Sequence, residues 1–336
     1  MAKTRVAING FGRIGRLVLR AYLEAERDDL DFVAVNDLGS ADMNAHLLEF
    51  DSVHGRYFGK IAATDDGLLV GSHTIRAFSE MLPEKLPWRD MEVDIVMECT
   101  GRFNDRDSAA KHLDAGARRV LVSAPCKDAD LTVVYGVNDG KLSQEHHVVS
   151  NASCTTNCLA PVAKTLNEAI GIRHGYMTTI HAYTGDQRTV DTFHGDFFRA
   201  RSAATNLIPT STGAARAVGL VLPELAGKLD GSAIRVPTPN VSLIDLKFTA
   251  ERETSIDEIN DAVSAAAANG MSGVLAVNDR PLVSSDFNHN PASSTFDLAS
   301  TQVVDGTFCR VVSWYDNEWA YVKRMVELAV KISKNL

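Results

Sequence analysis

Short β-branched runs and stretches of helical periodicity alternate along the first part of the chain. Thr4–Asn9 reads TRVAIN, a short β-branched run, after which Leu17, Val18, Ala21 and Tyr22 recur at helical spacing. A second apolar run, Phe32–Val35, ends in Asn36-Asp37. Further strand patterns cover Asp94–Met97, Arg119–Val122 and Thr132–Tyr135. The second half opens differently. After VVSNAS, residues 155–170 carry a helical pattern that Ser153 can cap, although Pro161 sits where it should break or kink the helix. Tyr176–Ile180 is strand-like and ends at His181, and AARAVGLVLPEL reads as another helix.

At 336 residues the chain has room for two domains. Hydrophobic residues make up 45% and charged ones 23%, the balance of an ordinary soluble globular protein. A formal net charge of -9 argues against nucleic acid as the main partner, since phosphate neutralisation needs a basic face. No stretch approaches the roughly 20 apolar residues of a membrane span. The opening MAKTRVAING enters a strand pattern at once, with no apolar signal segment, which suggests a reducing, cytoplasmic setting. The five cysteines, at 99, 126, 154, 158 and 309, are odd in number and scattered, unlike a disulfide framework. Only 154 and 158 lie close together, so a metal site lacks partners at usable spacing, and no metal is expected.

The turn after the first strand pattern reads Gly10-Phe11-Gly12-Arg13-Ile14-Gly15. Alone, such a motif is weak. Here it follows a strand, opens a helix, and has Asp37 about 20 residues beyond the third glycine. Glycines let the backbone approach a pyrophosphate, and the helix start offers it unpaired N–H groups. Asp37 can accept from a ribose diol and would repel a 2′-phosphate, which favours NAD over NADP. Thr100, Gly101 and Ser123 follow strand patterns and are candidates for cofactor neighbours, or else ordinary turn residues.

VSNASCTTNC, residues 149–158, places Cys154 in the first turn of the expected helix. The helix dipole and free N–H groups there should lower a thiol's pKa from about 8.5 towards neutrality. Cys158, one turn deeper, reads as a buried spacer. A reactive thiol needs a base, and among ten histidines His181 stands out in GYMTTIHAYTGDQ. Spacing alone leaves it open between a base and a strand-end histidine bonded to backbone. Arg199 in DFFRARSA and Arg235 in SAIRVPTPNVS suit a buried anion, or a surface ion pair. Thr212 and Gly213, at a hydroxyl-rich helix start, form a second turn suited to an anion. A phosphorylated substrate is the natural inference.

INGFGRIGR, ASCTTNC, HAYT, STGAARAVG, RVPTPNVS and SWYDNEW, in this order and spacing, resemble the phosphorylating glyceraldehyde-3-phosphate dehydrogenase family essentially from end to end. The resemblance implies an α/β Rossmann NAD-binding domain at 1–151, with the C-terminal helix 319–336 packing back on it. It implies an α+β catalytic domain with a mixed or antiparallel sheet at 152–318. It further implies a cytoplasmic homotetramer whose loop around 184–206 lines a neighbour's cofactor groove. By the same resemblance, Cys154 is the nucleophile and His181 its base. Gly10, Gly12, Arg13, Ile14, Gly15, Asp37, Thr100 and Ser123 would hold NAD, and Asn317 its carboxamide. Ser153, Thr155, Thr212, Gly213 and Arg199 would bind inorganic phosphate, with Arg201 a nearby alternative to Arg199. Thr184 and Arg235 would bind the phosphate of the triose phosphate.

The chain departs from the family pattern at Met81, where a basic residue is usual, and at Ala320, Val322 and Lys323. Thr192 and Phe193 replace a common Leu-Pro. These positions bear on cofactor selectivity more than on the chemistry. The nearest rival is erythrose-4-phosphate dehydrogenase, although the intact STGAARAVG block speaks for the triose enzyme. A thiol hydrolase would leave the dinucleotide motif idle, and an RNA-binding scaffold conflicts with the acidic charge.

Overall fold

The computed structural model describes residues 3–336; Met1 and Ala2, included in the expected domain 1–151, lie outside the described residues. The chain divides into two compact units. One runs to Val133 and takes in Asp139–Ala152 and Val322–Leu336; the other comprises Val134–Asn138 and Ser153–Tyr321.

The first unit is built on a nine-stranded sheet. Its six main parallel strands, in chain order Thr4–Asn9, Leu30–Asn36, His73–Phe78, Ile95–Glu98, Arg119–Val122 and Val148–Ser150, lie in the spatial order 3-2-1-4-5-6. That is the doubly wound order of the Rossmann fold, as expected. Val6, Ala7 and Ile8 are fully buried, which is why the middle of this strand is apolar and does not alternate. The strand order reverses between Thr4–Asn9 and Ile95–Glu98, and ligands bind at the carboxyl ends of strands at such a switch point. Antiparallel strands Ile61–Thr64 and Gly67–Val70 extend one edge.

The expected strand Thr132–Tyr135 is a difference. Only Leu131–Thr132 is strand, and the chain passes from one unit to the other directly after Val133. Its apolar character serves burial, since Val133 and Val134 are fully covered.

The second unit is built on an eight-stranded mixed sheet with helices, the α+β arrangement expected. Strand Ile172–Ala182 runs parallel to Leu229–Val236 and antiparallel to Ser242–Ala250. Ser242–Ala250 alternates strictly, with Ile244, Leu246 and Phe248 buried on one face. Helices Cys154–Ile170, Ala214–Val221 and Ile256–Ala268 pack against this sheet. Helix Cys154–Ile170 runs unbroken through Pro161. Cys158, Leu159, Ala160, Val162, Ala163 and Leu166 are all fully buried around it, and that packing outweighs the ~3 kcal/mol an interior proline costs. Tyr176 and Phe308, elsewhere on this sheet, remain about half exposed.

Candidate active site

The first unit forms a cradle where strand Thr4–Asn9 gives way to helix Arg13–Glu24. Gly10 lies at φ +86°, and a Cβ there would stand 2.6 Å from the Thr100 nitrogen. At Gly15 a Cβ would come 2.1 Å from the Gly10 carbonyl oxygen. Gly12 is the opposite case. As the helix N-cap it has no side-chain cap, and nothing lies within 4 Å of a Cβ built on it. First-turn N–H groups beside open space are what a pyrophosphate requires, so the cradle fits a dinucleotide.

Asp37 accepts the Phe11 N–H at 2.8 Å and the Gly39 N–H at 3.0 Å, which ties it to the glycine turn. Together with Gly10, Gly12, Thr100, Leu38 and Met81 it lines a cavity of about 430 Å³. The Arg13 guanidinium pairs with Asp51 at 3.1 Å; Arg13 and Ile14 are the first two residues of the helix, and neither is among the residues that line the cavity. Burial raises the Asp51 carboxyl, but the His54 and Val53 N–H groups and Arg13 outweigh it and hold the pKa at about 2. Ser123, just past strand Arg119–Val122, donates its N–H to the Glu98 carbonyl at 2.9 Å.

In the second unit, Cys154 is the first residue of its helix. Ser153 caps it, accepting the Thr156 N–H at 3.0 Å. The Cys154 Sγ lies 3.5 Å from His181 Nε2. His181 is buried near the end of strand Ile172–Ala182, in register with Arg235 on the parallel neighbour. Its Nδ1 lies 2.7 Å from the Ala182 carbonyl, and Arg235 Nη1 reaches that same carbonyl at 3.1 Å and Nδ1 at 2.9 Å. A carbonyl accepts from both. With Nδ1–H donating to Ala182, the lone pair on Nε2 faces the thiol, the orientation a base needs.

The electrostatics reverse one expectation. Burial pushes the Cys154 thiol up, and Arg235 and the Thr155 N–H only partly oppose it. The helix start alone would have lowered it; desolvation is the larger effect here. Burial, followed by Arg235, pushes His181 down to about 3, against the Ala182 carbonyl. Burial thus opposes charge on both partners.

Two groups of arginine, threonine and glycine residues lie near this pair. Arg235 contacts Thr184 Oγ1 at 3.4 Å, and its Nε is buried with no hydrogen-bond partner among the described residues. Arg199 reaches Thr210 Oγ1 at 3.4 Å and holds Asp186 at 2.6 Å. Arg201 pairs instead with Asp191, both well exposed. Gly213 caps helix Ala214–Val221, and Thr212 Oγ1 accepts the Ala214 N–H at 3.2 Å. The Thr156 hydroxyl links the two helix starts by donating to the Ala214 carbonyl at 3.2 Å. Thr155 turns away from both: its hydroxyl lies 2.9 Å from the buried Tyr315 hydroxyl. Asn317 accepts the Ser242 hydroxyl at 2.8 Å, and Ser242 in turn accepts the Ala182 N–H at 3.0 Å.

Several of these partners escaped the sequence reading. Asp186 sits inside the quoted HAYTGDQ, where a lone acid gives no sign that it faces an arginine. It accepts the Thr184 hydroxyl at 2.5 Å, and that bond with Arg199 and Arg235 outweighs burial and lowers its carboxyl. Tyr315 packs edge-on to His181 at 5.9 Å and bonds Thr179 at 3.0 Å. Of the departures from the family pattern, Ala320 and Val322 are buried and extend the apolar face of helix Trp319–Ser333. Nothing in the structure explains Phe193, which is 94% exposed. All five cysteines are free of disulfides, and no group of three or more His, Cys, Asp or Glu among the described residues could hold a metal. No helix among the described residues is long and apolar enough to cross a membrane.

Residues 4–106 match the family profile described as glyceraldehyde 3-phosphate dehydrogenase, NAD binding domain, and residues 153–317 match its C-terminal domain. A glyceraldehyde-3-phosphate dehydrogenase of Xanthobacter flavus is 63% identical over 330 residues, 98% of each chain. Those of Cereibacter sphaeroides and Geobacillus stearothermophilus are 58% and 54% identical, covering 99% and 98% of each chain. Similarity of this degree along nearly the whole length leaves one assignment: the chain belongs to the glyceraldehyde-3-phosphate dehydrogenase family, and it carries that family's NAD-binding domain.

Proposed function

We propose that the protein oxidises D-glyceraldehyde 3-phosphate with NAD and inorganic phosphate, giving 1,3-bisphosphoglycerate. The observation that carries this reading is the 3.5 Å approach of Cys154 Sγ to His181 Nε2 beside Arg235. Sγ adds to the aldehyde carbon while its proton passes to Nε2, and a hemithioacetal forms. The Cys154 backbone N–H and the protonated Nε2 stabilise the negative oxygen. Bound NAD would supply the hydride acceptor that turns this adduct into a thioester. Inorganic phosphate then adds to the thioester carbon and the sulfur leaves.

In this reading Gly10, Gly12, Arg13, Ile14, Gly15, Asp37, Thr100 and Ser123 hold the dinucleotide, and Asn317 its carboxamide. Arg235 and Thr184 hold the phosphate of the substrate. Arg199, Ser153, Thr212 and Gly213 hold the attacking phosphate, to which Thr155 offers its backbone N–H. Residues 1–151 with helix 319–336 form the NAD-binding domain, and 152–318 the catalytic domain. A homotetramer would cover the exposed Tyr176 and Phe308 of the mixed sheet and the exposed Val190, Phe193 and Phe197 of the loop at 184–206. A reducing cytoplasm suits five free thiols.

The test is NADH formation from the triose aldehyde, followed by absorbance, with and without inorganic phosphate and with NADP in parallel. Phosphate-dependent NADH formation is expected, with NADP weaker because of Asp37. No turnover with any combination would overturn the reading, and sedimentation as a monomer would overturn the tetramer.

A further inference from the structure

Beneath the glycine turn lies a buried polar chain that the reaction does not use. The Glu98 and His112 side chains are both 0% exposed. Glu98 ends strand Ile95–Glu98 in register with Asn9. Its Oε2 accepts Asn9 Nδ2 at 2.6 Å and lies 3.0 Å from His112 Nε2. Its Oε1 accepts the Thr100 N–H at 2.8 Å and the Thr100 hydroxyl as well.

Trp88 settles the protonation of this cluster. Its indole N–H lies 3.0 Å from His112 Nδ1. An indole N–H can only donate, so Nδ1 is the bare nitrogen and Nε2 carries the hydrogen, pointing at Glu98. Both Glu98 oxygens therefore face donors, which an ionised carboxylate satisfies and an amide does not. Asn9 extends the chain. Its Oδ1 accepts Asn36 Nδ2 at 2.7 Å, and Asn36 Oδ1 accepts the Glu80 N–H at 2.9 Å. One carboxylate thus ties together the strand ends from which Gly10, Asp37 and Thr100 emerge. Gly10 has its backbone against Thr100, 2.6 Å from where a Cβ would be, so pinning Thr100 pins the glycine turn. A buried anion is costly where apolar packing would serve, and holding a polar loop in place is a reason to keep one.

We propose that Glu98 is a positioning residue for the dinucleotide. Supported by His112 and Trp88, it fixes the Thr100 turn against Gly10, and so sets NAD affinity without touching cofactor or substrate. This rests on the NAD reading above.

Glu98→Gln puts an NH₂ against a donor in either orientation. The dissociation constant for NAD, measured by titration calorimetry, should rise about 10-fold. The kcat at saturating NAD and the KM for the triose substrate should stay as in the unaltered protein, a split that general loosening of the fold would not give. Trp88→Phe removes the donor that keeps Nδ1 bare. Glu98, Asn9, Trp88 and Phe103 all contact the His112 ring. In this variant NAD affinity should also fall, by less than in Glu98→Gln. Unchanged NAD affinity in folded Glu98→Gln would overturn the role. If that variant does not fold, Trp88→Phe decides, and NAD affinity equal to the unaltered protein's would overturn it. Absence of NAD binding in the unaltered protein would overturn the cofactor reading itself.

Discussion

Two helix starts in this molecule use the same device to opposite ends. At helix Arg13–Glu24 the N-cap is Gly12, which offers no side chain, so the first-turn N–H groups stay available to a ligand. At helix Cys154–Ile170 the N-cap Ser153 takes one of those donors for itself and makes Cys154 the first helical residue. One start is left open along its first turn; the other is closed in part, by Ser153, and aims a side chain. A helix N-terminus is therefore not a function in itself. What its cap leaves over decides whether it binds or reacts.

Substitutions can break this comparison, beginning with the sulfur. Cys154→Ser should lose NADH formation by a factor on the order of 10³ or more while NAD binding, read by calorimetry, is retained. Full turnover would show that the closed start carries no nucleophile. His181→Asn should slow the chemical step by about 10² to 10⁴-fold, since the thiol, raised by burial, then lacks its proton acceptor. An unchanged rate would leave His181 a structural residue.

The glycines sharpen the contrast within the open start. Gly10→Ala forces a Cβ against the Thr100 backbone at positive φ and should cost about 1–3 kcal/mol, seen as a lower Tm. Gly12→Ala meets no protein atom, so Tm should hold while NAD affinity falls. Equal loss of Tm in both would mean that the space beside Gly12 serves the fold.

Acid should separate the two regions by the smallest margin. His181 is lowered from 6.5 to about 3, so between those values the unfolded chain binds the extra proton and stability falls as pH falls. The loss is at most about 1.4 kcal/mol per pH unit. Asp51, lowered from 3.8 to about 2, contributes stability above pH 3.8 that disappears only as pH falls through 2. Calorimetric scans between pH 7 and 5 should therefore show an acid slope that His181→Asn flattens and Asp51→Asn does not. The same slope in all three proteins would refute this assignment.

Much of the candidate site's local structure could be read in the sequence, because its signals are contiguous. Three glycines between a strand and a helix, and a serine directly before Cys154, act over a single turn of backbone. Where contributions come from afar, reading along the chain fails. Pro161 predicted a break, but the helix around it is buried on so many sides that packing decides. The helix start predicted a depressed thiol, but desolvation depends on what the rest of the unit lays over Cys154. That the Thr155 hydroxyl meets Tyr315, far along the chain, is equally invisible in the sequence.

By itself the sequence determined which segments form strands and helices around the two turns, and the chemical character of each turn. Periodicity, caps and backbone freedom are local properties that travel with the residues. The tertiary structure alone decided that His181 lies in register with Arg235, that Asp186 answers Arg199, and that Glu98, His112 and Trp88 share one buried chain. Those contacts arise where separate strands and helices meet. Their energies depend on burial, which no stretch of residues carries until the remainder of its unit encloses it.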